Sequence, residues 1–130
     1  MPAPLLSSAF RPFYLLGALY AVLLTVAWLG AYLGAWDVPS VGTPLRLWHG
    51  HEMLFGFALA VVGGFLFTAV RNWTGLPTPA GAALAACALL WLAGRVLVLT
   101  PFAMTAAIVN AAFPAAIAVG IGVPLWKSGN

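Results

Sequence analysis

Long apolar runs alternate with short polar breaks along most of this chain. Residues 13–33, 48–70, 80–99 and 102–125 each supply about the 20 apolar positions that a helix needs to cross a hydrocarbon layer. Asp37, Pro39, Gly42 and Pro44 fill the first break, and Thr74, Gly75, Pro77 and Pro79 fill the second. The third is only a tight turn at Thr100 and Pro101, which predicts that the last two helices form an antiparallel hairpin. Proline cannot extend a preceding helix but suits the start of the next. The expected architecture is therefore all-α: one polytopic domain over residues 1–130, with four transmembrane helices in an antiparallel up-down arrangement.

Composition makes lipid the solvent. Apolar residues are 64 % of the chain and charged residues 5 %, against roughly 25 % charged in soluble domains. Mean hydropathy is +1.06. The net charge of +3 comes from five basic residues spread singly, so no basic patch addresses nucleic acid. Their places mark topology instead. Arg11, Arg71 and Lys127 fall on one side of the expected spans, and Arg46 and Arg95 on the other. Three against two puts both termini in the cytoplasm by the positive-inside rule. Met1 to Ala9 carry no basic side chain, so the first run reads as a retained helix and not as a cleaved signal peptide. Cys87 lies deep in an apolar run, where a lone cysteine behaves as a small hydrophobe.

The chemistry concentrates at the head of the second run. Trp48-His49-Gly50-His51-Glu52-Met53 holds both histidines of the chain and one of its two acidic residues. Ionisable groups in a membrane helix point to function. At about 100° per residue, Met53, Gly56, Ala60 and Gly63 fall within about 40° of His49, and Gly64 within about 60°. His51 points to nearly the opposite side. The two imidazoles share one metal only if Gly50 keeps the chain irregular. Gly56, Ala60 and Gly64 form a small-xxx-small column, which is a helix-packing seam or a face flat enough for a macrocycle such as haem, with His49 as its axial ligand. His49 with Met53 also suits copper.

Glu52 near the start of helix two and Arg95 near the end of helix three stand at matched depth, which predicts an ion pair. The other reading gives Arg95 an anionic group such as a haem propionate. At the exit of helix two, Arg71 and Trp73 fit an interfacial anchor, and Asn72 with Gly75 fits a helix end. In helix four, Pro114 removes the hydrogen bond to the carbonyl of Asn110, which predicts a kink with a polar group at mid-membrane.

Three strings carry a family resemblance: Phe10-Arg11-Pro12-Phe13-Tyr14, then Trp48 to Phe57 (WHGHEMLFGF), then Gly64 to Gly75 (GFLFTAVRNWTG). With Trp91-Leu92-Ala93-Gly94-Arg95, they resemble the N-terminal part of NnrS family proteins, over roughly residues 10–96. Those are polytopic proteins of the bacterial inner membrane, associated with haem and copper and linked to denitrification and nitric oxide stress. The resemblance implies that His49 and His51 are haem or metal ligands supported by Glu52 and Arg95, and that a gaseous ligand such as nitric oxide binds. This chain has Gly50 where the family usually has alanine, and Arg71 where it has proline. Family members usually carry about twelve spans. The chain is then a fragment, or a compact relative completed by self-association as a dimer or trimer.

Two other function classes fit the same residues. One is a small transport or channel subunit whose polar path is lined by His51, Glu52 and Arg95. The other is a cofactor-free structural subunit whose glycine column and tryptophans serve assembly. Whether the chain catalyses a reaction is not legible in its residues.

Overall fold

The computed structural model describes residues 6–8, 10–38 and 43–129, and every regular element among them is helical. Pro39 and Gly42, expected in the first loop, lie outside the described residues. Helix α1 covers Phe10–Tyr32. Helix α2 (Leu45–His51), a π-helical segment (Glu52–Ala58) and α3 (Leu59–Thr74) form one continuous rod of 30 residues. Helix α4 covers Gly81–Leu97 and α5 covers Ala103–Ser128. Helices α1 and α5 and the rod are long and apolar enough to cross a membrane, so the chain is a helical membrane protein.

Helix α4 is shorter than the run that predicts it. Its 17 residues sit at the lower limit for a span. Ala80 is in extended backbone and closes the N-terminal end. At the other end Thr100 Oγ1 donates to the Leu97 carbonyl at 2.6 Å, tightening the chain into the turn before Pro101. The rod, by contrast, begins earlier than the apolar run. The Pro44 carbonyl accepts from Leu47 N and Trp48 N at 2.8 and 3.0 Å, which starts the first turn at Leu45. Its far end is set by Gly75, whose φ of +67° is open to glycine at little cost. Helix α5 runs unbroken through Pro114 and Pro124.

The glycine column of the rod is the seat of α1. A Cβ on Gly64 would stand 2.9 Å from Phe13 Cβ, and one on Gly56 would strike the Tyr20 ring. Between them, a Cβ on Gly17 of α1 would lie 3.8 Å from Ala60 Cβ. The contact thus pairs Phe13 with Gly64, Gly17 with Ala60 and Tyr20 with Gly56, with residue numbers rising on one helix as they fall on the other. Small residues let the two backbones approach closely, which is how helices associate in lipid. Of the two readings of this column, the contact seen is the helix-packing seam. Ala60 is fully buried, and α1 covers the stripe from within the chain.

Phe13 is the centre of the core. Its ring lies 6.4 Å from that of Phe67 in α3 and 5.7 Å from that of Phe113 in α5. Leu84 and Trp91 of α4 and Ile117 of α5 complete the buried cluster. Gly63 and Gly120 admit α5 to the rod: added Cβ atoms would meet Ile117 Cδ1 at 2.8 Å and Phe67 Cε1 at 2.6 Å. Most large side chains outside this core, among them Leu15, Leu19, Val22 and Val26 of α1, remain exposed, as a lipid-facing surface requires.

Candidate functional site

Glu52 opens the π-helical segment and is fully buried between α1 and α4. Three groups converge on its carboxylate. Tyr20 of α1 donates its hydroxyl to Oε2. Arg95 of α4 brings Nη1 to 3.2 Å from the same oxygen, as a charge contact without hydrogen-bond alignment. His51 Nδ1 lies 2.7 Å from Oε1. The structure therefore brings Glu52 and Arg95 together at matched depth, and one carboxylate balances one guanidinium. A charge left alone near the bilayer centre costs about 2.5–3.5 kcal/mol on insertion scales.

Arg95 extends the cluster into α5. Its Nη2 donates to Asn110 Oδ1, while Asn110 Nδ2 donates to the Ala106 carbonyl at 2.8 Å. Gly94 makes room for this contact, since an added Cβ there would lie 3.0 Å from Asn110 Oδ1. Asn110 is thus the partner that joins α5 to the buried charge, a role beyond the kink expected at Pro114. Trp91, one turn before Arg95, donates from Nε1 to the Gly56 carbonyl at 2.8 Å. Its ring meets that of Tyr20 edge-on at 5.5 Å, and the Arg95 guanidinium lies 5.9 Å from the Trp91 ring centre.

That carbonyl lies within the π-helical segment. Leu59 N–H bonds to the Leu54 carbonyl, a five-residue step that widens the helix by one residue. Such a bulge releases carbonyls from the regular ladder, and bulges of this kind occur frequently at functional sites.

The two histidines diverge. Gly50 is helical, so α2 is regular through His51, and His49 and His51 leave the rod on different sides. The His49 ring stacks on Trp28 of α1 at 4.6 Å, and its Nδ1 is buried without a partner. The His51 ring stacks on Phe55 at 4.7 Å. It edges a cavity of about 210 Å³ together with Thr43, Thr100 and Asn110. Met53 is 44 % exposed. Gly56 and Ala60 present no open surface to a flat group, because Tyr20, Arg95 and Gly17 already occupy that face.

A family model described as NnrS protein matches residues 4–130, which is nearly the whole chain and includes α5. The chain belongs to the NnrS family. No curated protein and no solved structure matches it.

Tyr20 of this NnrS-family centre was not singled out by the sequence pattern, and Trp91 entered only as part of a string that carries the resemblance, with no role given to it. Tyr20 is a hydroxyl-bearing ring deep in the first apolar run, and Trp91 precedes Arg95 by four residues. Each was a signal of polar company at that depth, since a buried Tyr or Trp usually finds a hydrogen-bond partner. Among the described residues, no three His, Cys, Asp or Glu side chains come together as a ready metal cage.

Proposed function

We propose that this NnrS-family chain holds haem iron through Nε2 of His51 in the bacterial inner membrane, in the service of nitric oxide metabolism or resistance to nitrosative stress. The observation that carries the reading is the 2.7 Å contact between His51 Nδ1 and the Glu52 carboxylate. With Glu52 balancing Arg95, Nδ1 holds the proton and Nε2 keeps its lone pair. A carboxylate behind a histidine fixes its tautomer and ring orientation and raises its basicity as a ligand, a pattern common to metal-binding histidines. Tyr20 and Arg95 hold that carboxylate in turn, so the ligand is oriented before anything binds.

The donor set favours haem over a bare copper ion. Haem brings its own equatorial nitrogens and asks the protein for an axial imidazole, whereas copper needs several protein donors gathered in one place. His51 keeps 32 % of its side chain accessible, which suits an axial ligand at an open edge. Bound there, haem iron supplies a coordination position for a diatomic ligand such as nitric oxide. His49 is the second candidate ligand. Trp28 fixes its ring, and it serves a different face of the protein. Met53 with His49 is the arrangement that copper would use.

Haem titration of the purified chain, read in the Soret region, tests this assignment. Removing the ligand in His51→Ala is expected to abolish the axial-ligand spectrum, and Glu52→Gln to weaken haem affinity by about tenfold. His49→Ala should retain the wild-type spectrum. An unchanged spectrum in His51→Ala, with helicity preserved, would overturn the proposal.

A further inference from the structure

A cavity of about 450 Å³ lies between α1 and α4 beside Trp48. Its size is that of a pocket for a small organic molecule. Leu24, Leu92 and Leu99 make its walls apolar, and Tyr20 and Trp48 add flat aromatic ones. Leu23, Leu92 and Val96 are also exposed on the outer surface, so the cavity opens sideways toward lipid. Neither His51 nor Glu52 lines it.

Trp48 and Arg95 both line this cavity, and each has a buried donor, besides the Arg95 Nη1 that faces Glu52, with no acceptor. Trp48 is 5 % exposed, and its Nε1 has no hydrogen-bond partner. Arg95 is 6 % exposed, and its Nε has none. Buried donors without partners are rare and call for an explanation. Around them the other polar groups are already engaged: the Tyr20 hydroxyl donates to Glu52 and the Thr100 hydroxyl to the Leu97 carbonyl. The missing partner is therefore an acceptor. It is also neutral, because Glu52 already balances the Arg95 charge. A carboxylate or phosphate would bring a second negative charge into the bilayer interior with no cation to match it.

We infer that this cavity binds a neutral, apolar molecule carrying a carbonyl acceptor on a flat ring, that is, a membrane quinone, with Trp48 and Arg95 as the donors. The site stands apart from haem ligation by His51, and its test uses protein with no haem or metal added.

Retention of radiolabelled decylubiquinone by the full chain in lipid nanodiscs, against empty nanodiscs, measures the binding. Saturable retention is expected. Unlabelled decylbenzene, which lacks an acceptor, and decanoate, which is anionic, should each compete at least about tenfold less well than unlabelled decylubiquinone. Loss of one hydrogen bond in Trp48→Phe should weaken binding about fivefold. Filling the cavity with Ala27→Trp should abolish it, which keeps the test decisive if Trp48→Phe fails to fold. The inference is overturned by the absence of saturable retention, by equal competition from decylbenzene, by tighter competition from decanoate, or by unchanged binding in a folded Ala27→Trp protein.

Discussion

Trp91 of α4 donates its indole N–H to the Gly56 carbonyl at 2.8 Å, and so fastens a neighbouring helix to the widened turn of the rod. The carbonyl it reaches belongs to the π-helical segment. Trp91→Phe keeps the ring packing but leaves the carbonyl without its donor. A buried group stripped of its partner costs about 1–3 kcal/mol. The thermal midpoint of the detergent-solubilised protein is expected to fall accordingly. An unchanged midpoint would show that the turn satisfies its own carbonyl.

That bond also shows where the sequence stops being informative. The spans were legible because apolar runs and proline-glycine breaks state them directly, and the pairing of Glu52 with Arg95 was legible because both charges sit at matched depth. A π-helical segment has no comparable signature, since its five-residue step depends on what the released carbonyls meet. Tyr20 and Asn110 became partners of the charged pair only when the rotation of α1 and α5 about their axes was known. The glycine column was visible as a stripe, but its occupant was not. Packing against α1 and packing against a cofactor require the same small residues, and the contacts of Phe13, Gly17 and Tyr20 with the column distinguish them.

The Glu52–Arg95 pair sets up an asymmetric mutational response. Arg95→Met alone leaves a fully buried carboxylate facing only Tyr20 and His51, and breaking a buried pair this way costs about 3–5 kcal/mol. The double change Arg95→Met with Glu52→Gln removes both charges and should cost less than the single one. Chemical unfolding in mixed micelles gives the comparison. A double variant less stable than Arg95→Met would mean that the pair is not the dominant interaction of either residue.

The contact registers bear on topology. Glu52 meets Arg95 while Gly56 meets Trp91, so α4 runs against the rod, as α1 does at Phe13, Gly17 and Tyr20. An up-and-down arrangement then puts the segment before Phe10 and the segment after Ser128 on one side of the membrane. By the positive-inside rule, Arg11, Arg71 and Lys127 against Arg46 and Arg95 predict that this side is the cytoplasm, with His51 toward the opposite face. Reporter domains fused before Phe10 and after Ser128 are expected to report the same cytoplasmic location. Opposite locations for the two fusions would rule the arrangement out.

Glycines in this protein are not equivalent, and a pair of leucine substitutions separates those that seat a helix from those that face lipid. At Gly64 an added Cβ alone would lie 2.9 Å from Phe13 Cβ and 3.4 Å from the Phe10 backbone, before any of the remaining side chain is placed. Backbone cannot step aside cheaply, so Gly64→Leu must push α1 off the rod. Overpacking of this kind costs about 1–3 kcal/mol or more, and the displacement would also carry Tyr20 away from Glu52. Gly122 on α5 is exposed, with no atom within 4 Å of its would-be Cβ. Leucine there gains about 0.8–1.0 kcal/mol of helix propensity at most and meets nothing. The expected result is a marked drop in thermal stability for Gly64→Leu and an unchanged or slightly raised one for Gly122→Leu. Because the seam lies within one chain, the Gly64→Leu loss should not depend on protein concentration. A loss that grows on dilution would instead place a second copy against the Gly64 face.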